Sequence, residues 1–251
     1  MSRRRQTVLQ KISEGFLYEK FMKEGIKKIF SEVPQTYELV NHILTFGMDI
    51  LWRRKAAKIA VSGGGEMWMD ICSGTGEMAS YLRRLAPEET RVFAVDFSFP
   101  MIRKALEKKD ASEIIFILSD INTLPFPDKT FDLVTISFAV RNINLNGEKL
   151  LESLKEIHRV LKLGGRFVSV ETSQPKPEFI RMLFHFYIRL AVKPIGQIIS
   201  GSKSAYTYLS QTIPQFYSAD EFAEIIREAG FSEVTFKRMF FGVSAIHIAV
   251  K

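Results

Sequence analysis

Three aspartates, Asp70, Asp96 and Asp120, stand at the ends of short apolar runs, Met67 to Ile71, Arg91 to Val95 and Ile114 to Leu118. Carboxylates held in one row can accept hydrogen bonds from hydroxyls and amines, or face a cation. Behind Asp70 comes Cys72-Ser73-Gly74-Thr75-Gly76, then apolar residues at helical spacing, Met78, Leu82 and Leu85. A strand, a tight loop and a helix in that order build a nucleotide-type site at the strand's carboxyl end. Gly74 and Gly76 can take positive φ and let a ligand approach the backbone without Cβ interference. Gly74-x-Gly76-x-x-Ala79 by itself fits a dinucleotide fingerprint, so the surrounding charges must choose the ligand.

Those charges argue against a diphosphate. Asp70 precedes the loop, and Glu77 opens the helix where a pyrophosphate wants bare N–H groups and the positive dipole end. At ~5 Å and an effective dielectric near 20, each carboxylate would repel such a ligand by roughly 3 kcal/mol. A ligand carrying an ammonium and a sulfonium, S-adenosylmethionine, would be favoured by the same acids. The absence of Lys-Ser/Thr after Gly76 also argues against a P-loop. Asp96 follows the loop by about 20 residues, the spacing of a carboxylate that takes ribose hydroxyls, which fits NAD as well as S-adenosylmethionine. Asp120 is placed to accept from an adenine amine. Helix capping is the plainer role for such acids.

Composition narrows the class. The chain has 251 residues, 46% hydrophobic, with a net charge of +7. That length suits one α/β domain with additions. The lysines and arginines are spread along the chain apart from small groups such as Arg3–Arg5, so no nucleic-acid partner is expected. Cys72 is the single cysteine, which excludes an internal disulfide and a cysteine-rich zinc site, and no metal is expected. No apolar run reaches the ~18 residues of a membrane span. Arg3–Arg5 are not followed by the apolar region of a signal peptide. The expected location is cytoplasmic.

The elements that must position these residues follow from periodicity. Residues 1–60 read as a helical extension packing on the core, with Leu9, Ile12, Phe16, then Ile26, Ile29, Phe30, and a second pattern over 37–60 broken near Gly47. Residues 61–251 alternate strands and helices, predicting a doubly wound α/β, mostly parallel seven-stranded sheet with an antiparallel last strand. Leu163-Gly164-Gly165 is read as the stop of a helix over 146–162. A helical insertion over 175–215 faces the substrate side. Within it, residues 178–199 are apolar nearly all round, which predicts either a buried helix or a lid over an apolar substrate. After the fourth strand, Arg141 and Asn142 lie at the mouth of the site, able to bind a substrate oxygen. His42, His158, His185 and His247 could act as bases by chemistry alone, with His158 read as structural.

Taken together, these segments resemble the class I S-adenosylmethionine-dependent methyltransferases, and more closely the C-methyltransferases of ubiquinone and menaquinone biosynthesis. The resemblance rests on Tyr37-Glu38-Leu39-Val40-Asn41 leading to Gly47 and Trp52-Arg53, and on Asp70 to Gly76. It also rests on Leu124-Pro125-Phe126-Pro127-Asp128, Arg141-Asn142, Arg159 to Gly165, and the tail from Tyr206 to His247. The chain departs from the family's usual residues at Glu77 (Asp), Ala139 (Gly), Leu163 (Pro) and Tyr217 (Pro).

The resemblance implies the Rossmann-like methyltransferase fold and S-adenosylmethionine as cofactor, with S-adenosylhomocysteine as product. It implies cofactor contacts at Asp70, Gly74, Thr75, Gly76, Asp96, Phe97, Asp120, Ile121 and Ser137. The reaction implied is methylation of a ring carbon of a demethylated quinol, with Arg141 and Asn142 catalytic. Arginine is a poor base; its role would be to stabilise the phenolate, with Asn142 orienting. The expected partners are a quinol-type or phenolic acceptor with an isoprenoid tail, the inner face of a membrane held peripherally, and a second copy in a homodimer. The alternatives are another phenolic, lipid or amine acceptor, an NAD(P)-dependent oxidoreductase, and a non-catalytic cofactor-binding protein.

Overall fold

The computed structural model describes residues 25, 26, 28–143 and 147–251. The helix expected around Leu9, Ile12 and Phe16 lies outside them. Residues 28–32 are helical, and the pattern over 37–60 forms two helices, α1 (Tyr37–Leu44) and α2 (Met48–Val61). They break at Gly47, whose φ of 74° is the left-handed turn only glycine takes cheaply.

The alternating segment gives β1 (Met67–Ile71), α3 (Glu77–Leu85), β2 (Arg91–Asp96), α4 (Phe99–Ala105), β3 (Ile114–Leu118), β4 (Phe131–Ser137) and the short helix α5 (Val140–Ile143). Then come α6 (Gly147–Val160), β5 (Leu161–Thr172), α7 (Glu178–Tyr187), α8 (Lys193–Ser200), α9 (Lys203–Thr212), α10 (Ala219–Glu228), β6 (Ser232–Met239) and β7 (Ser244–Val250). Among the described residues the strands form one seven-stranded sheet in the order β3-β2-β1-β4-β5-β7-β6. β7 runs antiparallel to both β5 and β6, and the neighbouring pairs from β3 to β5 are parallel.

Adjacent strand residues face opposite sides, and both sides are apolar. Trp68, Leu133 and Val168 pack under Trp52, Ala56, Met78 and Leu82 of α2 and α3. Met69, Val134 and Phe167 pack on Leu150, Leu154, Phe222 and Ile226 of α6 and α10. Burying each large side chain contributes about 1.5–3 kcal/mol, so both layers are fixed by one period-two pattern. α10 begins at a reciprocal capping box between Ser218 and Glu221.

Two expectations need correction. α6 ends at Val160, before the Leu163-Gly164-Gly165 stop: these residues instead form an irregularity inside β5, where pairing with β4 jumps from Leu161 to Arg166. Gly164 supplies the left-handed φ of 73° that the bulge requires. Of the two readings of 178–199, a buried helix or a lid, the buried helix fails over the first half, while Ile188, Val192 and Gly196 beyond it are buried. α7 buries none of its residues, and Phe179, Met182 and Phe186 are each more than half exposed.

The order reverses between β1 and β4, which lie side by side but belong to opposite halves of the sheet. The two strands stay paired up to Ile71 and Ile136, and the crevice outside their carboxyl ends is where an open α/β sheet binds its ligand.

Candidate active site

Two cavities meet above the crevice. The first, of about 400 Å³, is lined at four strand ends: by Gly74 and Thr75 after β1, Asp96 and Phe97 at and beyond the end of β2, Asp120 and Ile121 after β3, and Ser137 and Asn142 at and beyond β4. The second, of about 550 Å³, is mostly apolar, with walls from Leu44, Trp52, Phe184, Tyr187, Ile188 and Leu209 among others, and Arg141 on one side. Tyr37, Arg53 and Phe138 line both and form the shared partition.

The glycine loop is held by Asp96. Its Oδ2 accepts from Gly74 N at 2.8 Å and its Oδ1 from Ser98 N at 2.8 Å. Burial pushes the Asp96 carboxyl up to about 6 against those hydrogen bonds. The thiol of Cys72 shows how closely the acids converge: burial first, then Asp96, Asp70 and Asp120, push it well above its ordinary range. It is therefore a neutral thiol and no nucleophile. Cys72 (φ 50°) and Phe138 (φ 55°) are non-glycine residues in the left-handed region, at the ends of β1 and β4. Such strain costs of order 1–3 kcal/mol each and tends to collect where a site is shaped.

Not every expected residue reaches the cavity. Asp70 is fully buried in β1 behind the loop, where it accepts from Thr135 Oγ1 at 2.8 Å; burial pushes it up to about 7. Its field acts on the cavity, but its oxygens do not line it. Gly76 also lies off the wall, and its reason is packing: a Cβ there would stand 3.0 Å from Ala105 Cβ of α4. Arg141 and Asn142, adjacent in sequence, part company. Asn142 faces the first cavity and Arg141 the second.

Arg141 is buried. Its Nη1 donates to Glu171 Oε1 at 3.2 Å and Thr172 Oγ1 at 3.1 Å, and its backbone N–H donates to Glu171 Oε2 at 3.3 Å. Its Nε has no hydrogen-bond partner among the described residues, nor has Asn142 Oδ1. Arg53 is built the same way. It is buried, its Nη1 is 2.6 Å from Asp49 Oδ2 and 3.3 Å from Glu77 Oε2, its guanidinium sits 4.7 Å from the Phe138 ring centre, and its Nε is unpartnered among the described residues. Burial raises the Tyr37 phenol, while the charges of Arg53 and Arg141 work against that rise.

Asp49 also accepts from Thr45 Oγ1 at 2.6 Å and pairs with His42 Nδ1 at 2.9 Å; His42 Nε2 lies 3.6 Å from Glu77. Burial would raise the Asp49 carboxyl, but Thr45, Arg53 and His42 together hold it below the ordinary range. The other histidines are occupied elsewhere. His158 packs edge-on against Phe231, His185 pairs with Gln174, and buried His247 bonds Ala219 O.

Sequence reasoning had no role for Glu171 or Asp49, nor for Tyr37 and Arg53 beyond the resemblance. Glu171 had a visible signal: it ends the apolar run of β5 as the three aspartates end theirs.

A model of the ubiE/COQ5 methyltransferase family matches residues 18–251. The chain belongs to that family. Among relatives of known name, a demethylmenaquinone methyltransferase of Thermus thermophilus is 36% identical over 222 residues, spanning 88% of this chain and 98% of its own. A ubiquinone/menaquinone biosynthesis C-methyltransferase of Desulfotalea psychrophila is 35% identical over 228 residues, 90% of each chain. Among solved structures, an S-adenosylmethionine-dependent methyltransferase of Thermotoga maritima superposes with a TM-score of 0.64 at 18% identity, covering 89% of this chain and 98% of that one. Human N-acetylserotonin methyltransferase superposes with a TM-score of 0.58 at 18% identity, covering 86% and 57%. At that identity these structures speak for the fold alone.

Membership of the ubiE/COQ5 family makes the chain a methyltransferase and its cofactor S-adenosylmethionine, and the oxidoreductase alternative falls. The first cavity suits this group. Asp96, Asp120 and Glu77 supply negative charge to a cationic donor, and Ile121, Phe97 and Met101 supply flat apolar surface to a nucleobase.

Proposed function

We propose that this ubiE/COQ5-family chain methylates a ring carbon of a demethylated quinol of the ubiquinone/menaquinone type, with the acceptor's tail in the apolar cavity. The observation that carries this reading is the partition: an acid-lined cavity and an apolar one share the wall made by Tyr37, Arg53 and Phe138. The names of the relatives, demethylmenaquinone methyltransferase and ubiquinone/menaquinone biosynthesis C-methyltransferase, support the acceptor class.

On this reading Gly74, Thr75, Asp96, Phe97, Asp120, Ile121 and Ser137 hold the cofactor. Asp70 stays buried behind the loop, and Gly76 lets the loop pack against Ala105 of α4. Residues 61–251 form the cofactor-binding domain, with a substrate-side insertion at 175–215. The extension over 1–60 completes the walls through Tyr37, Asp49 and Arg53.

S-adenosylmethionine, when bound, supplies an electrophilic methyl on a sulfonium. The rest falls to side chains. A quinol carbon attacks well only when a ring hydroxyl has lost its proton, so the site must stabilise an oxyanion in a low-dielectric space. The unpartnered Nε–H groups of Arg141 and Arg53 are donors already desolvated for that task, which is where such donors are worth most. Glu171 and Thr172 fix the Arg141 fork; Asp49 and Glu77 fix that of Arg53. Asn142 orients from the cofactor side. The carbon that gains the methyl gives up its hydrogen as a proton and the ring hydroxyl is restored, so one proton leaves in all; Asp49, held ionised, and His42, about a quarter exposed, form its path out of the apolar cavity.

Among the described residues no helix is long and apolar enough to cross a membrane, so contact with the inner face of a membrane is peripheral on this reading. Steady-state kinetics with quinols of graded tail length test the assignment. KM is expected to fall about tenfold or more between a tail-less quinol and one with two or three isoprene units, since each buried methylene contributes about 0.8 kcal/mol. A KM indifferent to the tail would remove the apolar cavity from the acceptor site.

A further inference from the structure

We infer that the outer face of α7 and the segment after it is a bilayer-docking surface, placed so that a lipid acceptor passes from the membrane straight into the apolar cavity. The inference rests on the proposed acceptor class and names the surface that serves it.

Phe179, Met182, Leu183, Phe186 and Leu190 fall at i, i+3, i+4, i+7 and i+11, one stripe of a helix. In a soluble fold such a stripe faces the core. Here it faces out: all five side chains are about half or more exposed. The opposite face, Ile180, Phe184, Tyr187 and Ile188, lines the apolar cavity. One short segment therefore has cavity on one side and solvent on the other.

The stripe runs into the cavity's mouth. Phe46, Leu183 and Phe240 line the cavity and are also exposed, Phe46 at 83%. Phe241, beside Phe240, is 70% exposed. Exposed apolar patches of this extent mark a surface that something covers.

The choice of occupant follows from charge and access. From Glu178 to Lys193 the segment carries Arg181, Arg189 and Lys193 against the single acid Glu178. Cations flanking an apolar face suit anionic headgroups, with the apolar side chains entering the acyl boundary. A second copy related by a twofold axis would bring the same cations against themselves. It would also close the mouth through which the acceptor must pass, whereas a bilayer is where a tailed acceptor already resides.

The test compares the full chain with its Phe179→Ser/Met182→Ser/Phe186→Ser variant; none of these three residues lines the apolar cavity. Co-sedimentation uses vesicles of phosphatidylcholine with or without phosphatidylglycerol. The expected result is binding that needs the anionic lipid, weakens with salt, and drops about tenfold or more in the variant. The two proteins should turn over a tail-less quinol in solution equally, while the variant methylates a long-tailed quinol in vesicles about tenfold more slowly. Equal vesicle binding by both proteins would overturn the inference. So would a wild-type dimer that the substitutions convert to a monomer, since the face would then be a contact between copies. Lipid binding lost in the variant, with no quinol methylated by either protein, would uphold the docking face and overturn the acceptor reading instead.

Discussion

Replacing Arg141 with alanine is expected to lower kcat by about 10²–10³, the usual cost of one oxyanion donor, while S-adenosylhomocysteine binds within about twofold of wild type. The two effects separate because Arg141 faces the apolar cavity and not the one lined by the glycine loop. The substitution also strands Glu171, which is 1% exposed and loses the guanidinium 3.2 Å away. An uncompensated buried carboxylate costs about 3–5 kcal/mol, so the single variant should melt lower than wild type. Arg141→Ala/Glu171→Gln removes that charge and should recover most of the stability, with activity still lost. Titration calorimetry, thermal melting and turnover on one preparation separate the two roles. Full turnover by Arg141→Ala would show that the oxyanion is stabilised elsewhere, with Arg53 the next candidate.

The second large effect is expected at Asp96. Its two oxygens each hold a backbone N–H, of Gly74 and of Ser98, besides facing the cavity. Hydrogen bonds to a charged group contribute about 1.5–3 kcal/mol each, so Asp96→Ala should weaken cofactor binding by about a hundredfold or more. Asp96 also links binding to pH. With its carboxyl raised from 3.8 to about 6, the folded protein holds a proton that the unfolded chain has released in that interval. The resulting stability is full below about pH 4 and is lost as pH rises through 6. A cation beside the carboxylate favours the ionised form, so S-adenosylmethionine binding near pH 6 should release protons. Calorimetry in buffers of different ionisation enthalpy reads that release, which should shrink at pH 8 and in Asp96→Asn. Binding unchanged in Asp96→Ala would remove this residue from the cofactor site.

Much of the fold was legible in the residues, because the sheet is buried on both faces and its strands read as short apolar runs ending in acids. The strand-end acids Asp96 and Asp120 were legible for the same reason. What the sequence hid was depth. Asp70 and Asp96 look alike, but Asp70 is one residue short of the end of its strand and points to Thr135 instead of the cavity. Arg141 and Asn142 look like a pair, yet one helical step of about 100° sends them to different cavities. Arg53 and Tyr37 come from the extension before the sheet, and only tertiary packing brings them over its carboxyl edge. The apolar 178–199 segment left two readings open, because hydrophobicity alone does not distinguish a core helix from one that walls an apolar cavity.

The most direct measurement of the central claim is transfer of a ¹³C-methyl from S-adenosylmethionine to a demethylated, isoprenoid-tailed quinol, with the product's labelled carbon located by NMR. The expected product carries the methyl on a ring carbon, formed by wild type and about 10²–10³-fold more slowly by Arg141→Ala. A methyl bonded to oxygen, or label reaching only amines or tail-less phenols, would contradict the claim.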